Sequence, residues 1–134
     1  MSADHLTLGR EGEEAAARLV RRLGMAIVER NFRCKLGEVD LVCRQGDTLV
    51  FVEVKTRGQG SLAAGTDAVD KGKRSRLVRA ASEYLSAKGL WDSPCRFDVV
   101  SVVKGANGLV AEHLPDAFRL EADFGSKRRG WQPW

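Results

Sequence analysis

Glu38-Val39-Asp40-Leu41-Val42-Cys43-Arg44-Gln45-Gly46-Asp47-Thr48-Leu49-Val50-Phe51-Val52-Glu53-Val54-Lys55-Thr56 is the stretch whose reading decides the fold. From Glu38 to Arg44 the residues alternate, with Glu38, Asp40 and Val42 on one face and Val39, Leu41 and Cys43 on the other, which is the period of a β-strand. From Thr48 to Thr56 the alternation continues, Val50, Val52 and Val54 facing one way and Leu49, Phe51, Glu53 and Lys55 the other. Apolar residues on both faces mark a central strand whose charges enter only at its far end. Between the two runs, Gly46-Asp47 is a favoured central pair for a two-residue type II′ hairpin turn. That turn pairs Gln45 with Thr48, so Asp40 falls opposite Glu53 and Glu38 opposite Lys55, all on one face.

Two carboxylates facing each other across a sheet repel. The arrangement needs a compensating cation, a raised carboxyl pKa or a different register. A divalent metal is the simplest of these, and oxygen ligands without histidine or cysteine suit Mg²⁺ or Mn²⁺ better than zinc. Lys55, two residues past Glu53, shares the same side. A lysine so placed can activate water while a cation stabilises charge on an attacked phosphodiester. An acid and a lysine alternating at a strand end are by themselves ordinary solvated surface; the facing Asp40 is what separates this pattern from that one.

Working outward, Leu8 to Leu23 reads as a helix, with Ala16, Leu19, Val20 and Leu23 at helical spacing, acids in the first turn and Gly24 as its end. Glu13 shares the buried side of this helix, which leaves open a dipole-favoured acid or a neighbour of the metal. Ala26 to Phe32 reads as a strand and Lys35 to Gly37 as a turn. Gly58 to Gly65 is a small-residue loop, able to flex around a substrate or to serve as a plain connector. Thr66 caps a helix running to Lys88, with Val69, Leu77, Ala80, Ala81, Tyr84 and Leu85 on one face. Lys73 lies on that apolar face, where its stem can pack inward with the head reaching water, or the head can meet a phosphate. Cys95 to Val103 and Leu109 to Leu114 read as strands joined by a turn at Gly105 to Gly108. The order αβββαββ implies an α/β fold, one mixed sheet flanked by helices. The expected organisation is one domain over residues 1 to 124 and a basic, mobile tail over 125 to 134.

A chain of 134 residues, 43% apolar and 30% charged, carries one packed core and lies far from disordered or disulfide-scaffold compositions. Without a long apolar run, or a signal-peptide pattern in Met1 to Arg10, the expectation is a cytoplasmic protein with no membrane partner. Cys34, Cys43 and Cys95 are too few and too scattered for a zinc site and read as free thiols suited to a reducing compartment. The net charge of +4 permits a polyanionic partner. Its distribution says more: Lys71, Lys73, Arg74, Arg76 and Arg79 crowd nine residues without an acid. Lys71 and Arg74 are expected to face solvent, and with Lys73 and Arg57 they are the candidate phosphate contacts. Lys127-Arg128-Arg129 ahead of Trp131 and Trp134 suits either a nucleic-acid backbone or a docking partner.

Gly37-Glu38-Val39-Asp40-Leu41-Val42 and Leu49-Val50-Phe51-Val52-Glu53-Val54-Lys55-Thr56-Arg57 resemble the signature of the YraN family of small, endonuclease-like bacterial proteins. The resemblance extends to Gly9, Gly12, Glu13 and Ala16, to Arg30-Asn31-Phe32-Arg33, and to Val69 with Lys73. Further along it takes in Ala80 or Ala81 with Tyr84-Leu85, Arg96-Phe97-Asp98-Val99-Val100, and His113-Leu114 with Ala117-Phe118, covering residues 8 to 120. That family is similar to the PD-(D/E)xK nuclease superfamily, which implies a restriction-endonuclease-like fold akin to Holliday-junction resolvases. By the same resemblance Asp40 and Glu53 are metal ligands, Lys55 the catalytic lysine and Glu13 the helix acid of resolvase-like members. Glu38-Val39 stands where the superfamily expects proline before the aspartate, although Gly-Glu-Val/Ile-Asp is the usual form in the YraN-like branch.

Three functions follow as expectations: a Mg²⁺-dependent nuclease acting on DNA, branched or structured DNA included; a non-catalytic nucleic-acid-binding module; and an accessory protein that docks a partner through its tail. A resolvase-like role would favour a symmetric homodimer. Opposed carboxylates favour the enzyme, since binding alone gives no reason to face them.

Overall fold

A computed structural model describes residues 3–58 and 71–117. The elements are α1 (Ala3–Arg22), β1 (Ala26–Cys34), β2 (Gly37–Gln45), β3 (Thr48–Arg57), α2 (Lys71–Lys88), β4 (Cys95–Gly105) and β5 (Gly108–Leu114). They form a five-stranded sheet in the order β1-β2-β3-β4-β5, antiparallel except for the parallel β3–β4 pair. The chain is thus an α/β domain of restriction-endonuclease-like architecture, a mixed sheet between two helices. Most boundaries lie within two residues of the sequence reading, but α1 begins at Ala3 rather than Leu8. Thr66, Val69, most of the Gly58 to Gly65 loop and the tail lie outside the described residues.

Alternation along β3 divides the core. Leu49 and Phe51 face α2, joining Leu77, Ala81, Tyr84 and Leu85, with the Tyr84 ring edge-on to Phe32 and Phe51. Val50 and Val52 face α1, joining Ala16, Val20 and Val102. Burial on both faces is what a central strand with covering helices demands. The three cysteines are free, Cys43 buried and the other two half-buried.

Two glycines set how closely the layers approach. A Cβ on Gly12 would lie 2.1 Å from Thr56 Oγ1, so α1 rests directly on the end of β3. A Cβ on Gly37 would lie 2.2 Å from the backbone oxygen of Arg76, so the start of β2 touches the α2 backbone. Gly46, at φ 60°, supplies the positive φ of the β2–β3 turn.

Candidate active site

The turn sets the register as the sequence implies: Gln45 pairs with Thr48, and the ladder runs back to Leu41 opposite Val52. There it stops. β2 continues alongside β1 to the Cys34–Gly37 pair, and β3 continues alongside β4 to the Arg57–Val103 pair. The sheet forks, and Asp40 and Glu53 are the first residues past the branch point. Neither the Asp40–Glu53 nor the Glu38–Lys55 ladder pair expected from strict hairpin register forms. Glu38 is instead opposite Arg33 on β1 and accepts a hydrogen bond from its Nε at 3.0 Å.

A local break in pleating accompanies the fork. Val39 packs in the α2 cluster and Leu41 in the α1 cluster, although strict alternation would put them on one face. The break falls at Asp40, beside Asn31 of β1, whose φ of 53° is left-handed. Asp40 is thereby turned toward β3, where its Oδ2 accepts the Val54 N–H at 2.7 Å.

Asp40 and Glu53 lie close together at the fork, and each acts on the other's titration. Burial raises the pKa of Asp40, against the pull of the Val54 N–H and with added repulsion from Glu13 and Glu38. Burial and then the charge of Asp40 raise Glu53, against the attraction of Lys73. Lys73 Nζ stands 3.8 Å from Glu53 Oε1. Its ammonium also faces Lys55, whose pKa is lowered first by burial and then by the Lys73 charge. The sequence left the Lys73 head to water or to a phosphate; the structure places it beside the Glu53 carboxylate.

Glu13 is half-buried on α1 and acts on Asp40 from the other side of the sheet. The fork makes this double approach geometrically simple, since α1 and α2 cover opposite faces and meet the opening from both. Among the described residues no three of His, Cys, Asp and Glu gather as a metal cluster. The structure brings Glu13 near enough to Asp40 for its charge to raise the Asp40 pKa.

The basic residues divide differently from the expectation. Arg57 is half-buried at the end of β3, and Arg74, expected in solvent, is half-buried too. In the basic run of α2, Arg76 and Arg79 are exposed, because burying Leu77, Ala80, Ala81 and Tyr84 rotates them outward. The side chain of Lys71 lies outside the described residues.

A second polar cluster had no assigned role in the residue-by-residue reading. Asp98, fully buried, accepts Arg96 Nε at 2.8 Å and Nη2 at 2.9 Å, bonds His113 Nε2 at 2.6 Å and accepts the Asp116 N–H at 3.0 Å. Burial alone would raise its pKa, but the Arg96, His113 and Asp116 bonds together hold it below the usual carboxylate range. Arg96 also donates to Gln45, which donates to the Leu23 carbonyl, tying the end of α1 to β2 and β4. The sequence signal was an acid in register with the apolar Val100 and Val102. Every bond of Asp98 is internal, so the cluster reads as a fastening of β5 to the sheet.

The pattern of a family described as "Uncharacterised protein family UPF0102" matches residues 12–102. A UPF0102 protein of Nitratidesulfovibrio vulgaris (strain DP4) is 46% identical over 134 residues, covering 100% of this chain and 99% of the relative. One from Lawsonia intracellularis is 39% identical over 127 residues, covering 95% and 96%, and one from Geotalea uraniireducens is 44% identical over 119 residues, covering 88% and 94%. The matched span holds every residue of the fork, from Glu13 through Lys73, and on these similarities the chain belongs to UPF0102, the YraN family.

Proposed function

We propose that the protein is a Mg²⁺- or Mn²⁺-dependent nuclease that hydrolyses DNA phosphodiester bonds at the sheet fork. The observation that carries this reading is the meeting at the fork of Asp40, oriented by the Val54 N–H at 2.7 Å, with Glu53, whose Oε1 lies 3.8 Å from Lys73 Nζ, while Lys55 stands beside them and burial raises both carboxyls. The oxygens of these two carboxyls are the donors Mg²⁺ prefers, and a bound cation would take up the charge that repels them. The cation would be held by Asp40 and Glu53, with its remaining positions left to waters and phosphate oxygens. When bound it would supply Lewis-acid stabilisation of the charge that develops on the phosphoryl oxygens.

The chain's own residues do the rest. The Val54 N–H fixes which way Asp40 points, so the carboxylate is oriented before substrate arrives. Lys55, its pKa lowered by burial and by the Lys73 charge, is placed to orient or deprotonate the attacking water. Lys73, with its Nζ 3.8 Å from Glu53 Oε1, is placed to meet the phosphate. Glu13 raises the local negative potential and with it the affinity for a cation. Free thiols and the absence, among the described residues, of a helix long and apolar enough to cross a membrane suit work in the cytoplasm.

The test is incubation of the purified chain with duplex, single-stranded and four-way-junction DNA in Mg²⁺ or Mn²⁺, with chelator controls. Metal-dependent cleavage lost in Lys55→Ala and Glu53→Gln supports the proposal. Inertness on all three substrates overturns it.

A second reading has its own observation. The Lys73–Glu53 contact at 3.8 Å partly balances the site's charge without any cation, as a non-catalytic nucleic-acid-binding module would require. Binding that survives chelator and Asp40→Asn, with no cleavage, favours that reading.

A further inference from the structure

The turn between β1 and β2 and the neighbouring flank of α2 take no part in the chemistry above. Between them lies a cleft of about 340 Å³, lined by Arg33, Lys35, Leu36, Gly37 and Glu38 on one wall and Arg76 on the other. Its floor is closely packed: Gly37 lies against the Arg76 backbone with no room for a Cβ. Its charge is one-sided. Arg33, Lys35 and Arg76 face one acid, Glu38, which Arg33 already engages at 3.0 Å. Lys35 and Arg76 are exposed and form no ion pair among the described residues. The cavity beside α1 differs: there Arg10, Arg18 and Lys104 are interleaved with Glu11 and Glu14.

The cleft adjoins the fork through Glu38, which lines it and whose charge acts on Asp40 and Glu53. Glu38 leads through Val39 into Asp40, and Arg76 lies three residues past Lys73 on α2, a rise of about 4.5 Å. Cations thus stand both at the carboxylates, where Lys73 lies 3.8 Å from Glu53, and in the adjoining cleft, which Arg76 and Lys35 line. Successive phosphates of one DNA strand are spaced about 3.4 Å along the helix axis, so cations in both places suit neighbouring phosphates of a single strand.

We propose that this cleft holds the sugar-phosphate backbone of the DNA strand one to two nucleotides from the cleaved bond, with Lys35 and Arg76 contacting its phosphates. The assignment rests on the nuclease reading for its reference point, the cleaved bond. It adds the path by which the substrate leaves the fork.

The experiment is fluorescence anisotropy of labelled duplex and single-stranded DNA against the full chain carrying Asp40→Asn to prevent turnover, repeated across a salt series. Adding Lys35→Ala and Arg76→Ala should weaken binding about 10- to 100-fold at low salt and make the log Kd against log salt slope shallower by about 2. Lys35→Glu should weaken it further, while Arg18→Ala with Lys104→Ala, on the α1 side, should leave both quantities unchanged. Matching melting temperatures would show the variants folded. Wild-type cleavage together with an unchanged slope in the Lys35/Arg76 variant would overturn the cleft and leave the nuclease standing. Binding without wild-type cleavage, but with the shallower slope, would support the cleft as a backbone site while removing the nuclease. No binding and no cleavage by any form would overturn both.

Discussion

The Val54 N–H donates to Asp40 Oδ2 at 2.7 Å, and this bond takes the place of a rung that would otherwise join β2 to β3. A side chain thus ends the ladder at Leu41–Val52 and satisfies a main-chain donor that the fork would leave bare. Leaving such a buried donor unmet costs about 1–3 kcal/mol, so the bond both opens the fork and stabilises it.

Asp40→Asn should separate charge from scaffold. The amide oxygen can still accept the Val54 N–H, so the fold should persist, while divalent-metal binding measured by calorimetry should be abolished and cleavage should fall by at least about 100-fold. Asp40→Ala, which removes the acceptor, should in addition lower the melting temperature relative to Asp40→Asn.

Metal-free stability should also depend on pH through the same pair. Glu53 is pushed up to about 8 and Asp40 to about 6, so between the ordinary carboxyl range and those values the folded chain holds protons that the unfolded chain has released. Stability therefore falls as pH rises through that window. Thermal melts in chelator should show Asp40→Asn gaining on the wild type as pH climbs from about 4 to 8, and saturating Mg²⁺ should narrow the gap.

Asp98 works in the opposite direction. Its folded pKa is depressed, so the stability it contributes is present above the ordinary carboxyl range and is lost as pH falls through the depressed value. Asp98→Asn should cost about 3 kcal/mol at neutral pH by leaving Arg96 without its charged partner. Denaturant titration should also show a shallower acid limb for this variant than for the wild type.

The close approaches should be sensitive to a single methyl group. Gly37→Ala drives a Cβ into the Arg76 backbone oxygen and should destabilise by about 1–3 kcal/mol. Gly12→Ala meets mainly the Thr56 side chain, so Thr56→Ala should recover part of the loss in a double-mutant cycle. Because Gly12 seats α1 beside the fork, Gly12→Ala should also weaken metal binding in calorimetry by shifting Glu13.

Much of this was legible in one dimension. Strand periodicity on both sides of Gly46-Asp47 determined the hairpin and its register to Leu41–Val52, because alternation and a two-residue turn leave no other pairing. Apolar residues on both faces of β3 determined that it is central, and the spacing of Glu53 and Lys55 put them on one side. Only the tertiary structure decided what happens beyond Val52. The hairpin rule extrapolates a straight ladder, whereas β2 is also held by β1 and β3 by β4, and these two pairings pull the strands apart at Asp40. The fork lets Glu13 and Lys73 approach from opposite faces, and no periodicity along either helix reports that meeting. Burial, which raises both carboxyls and lowers Lys55, is likewise a property of what the helices cover. The residues of the site are written in the sequence, while their protonation and convergence come from packing.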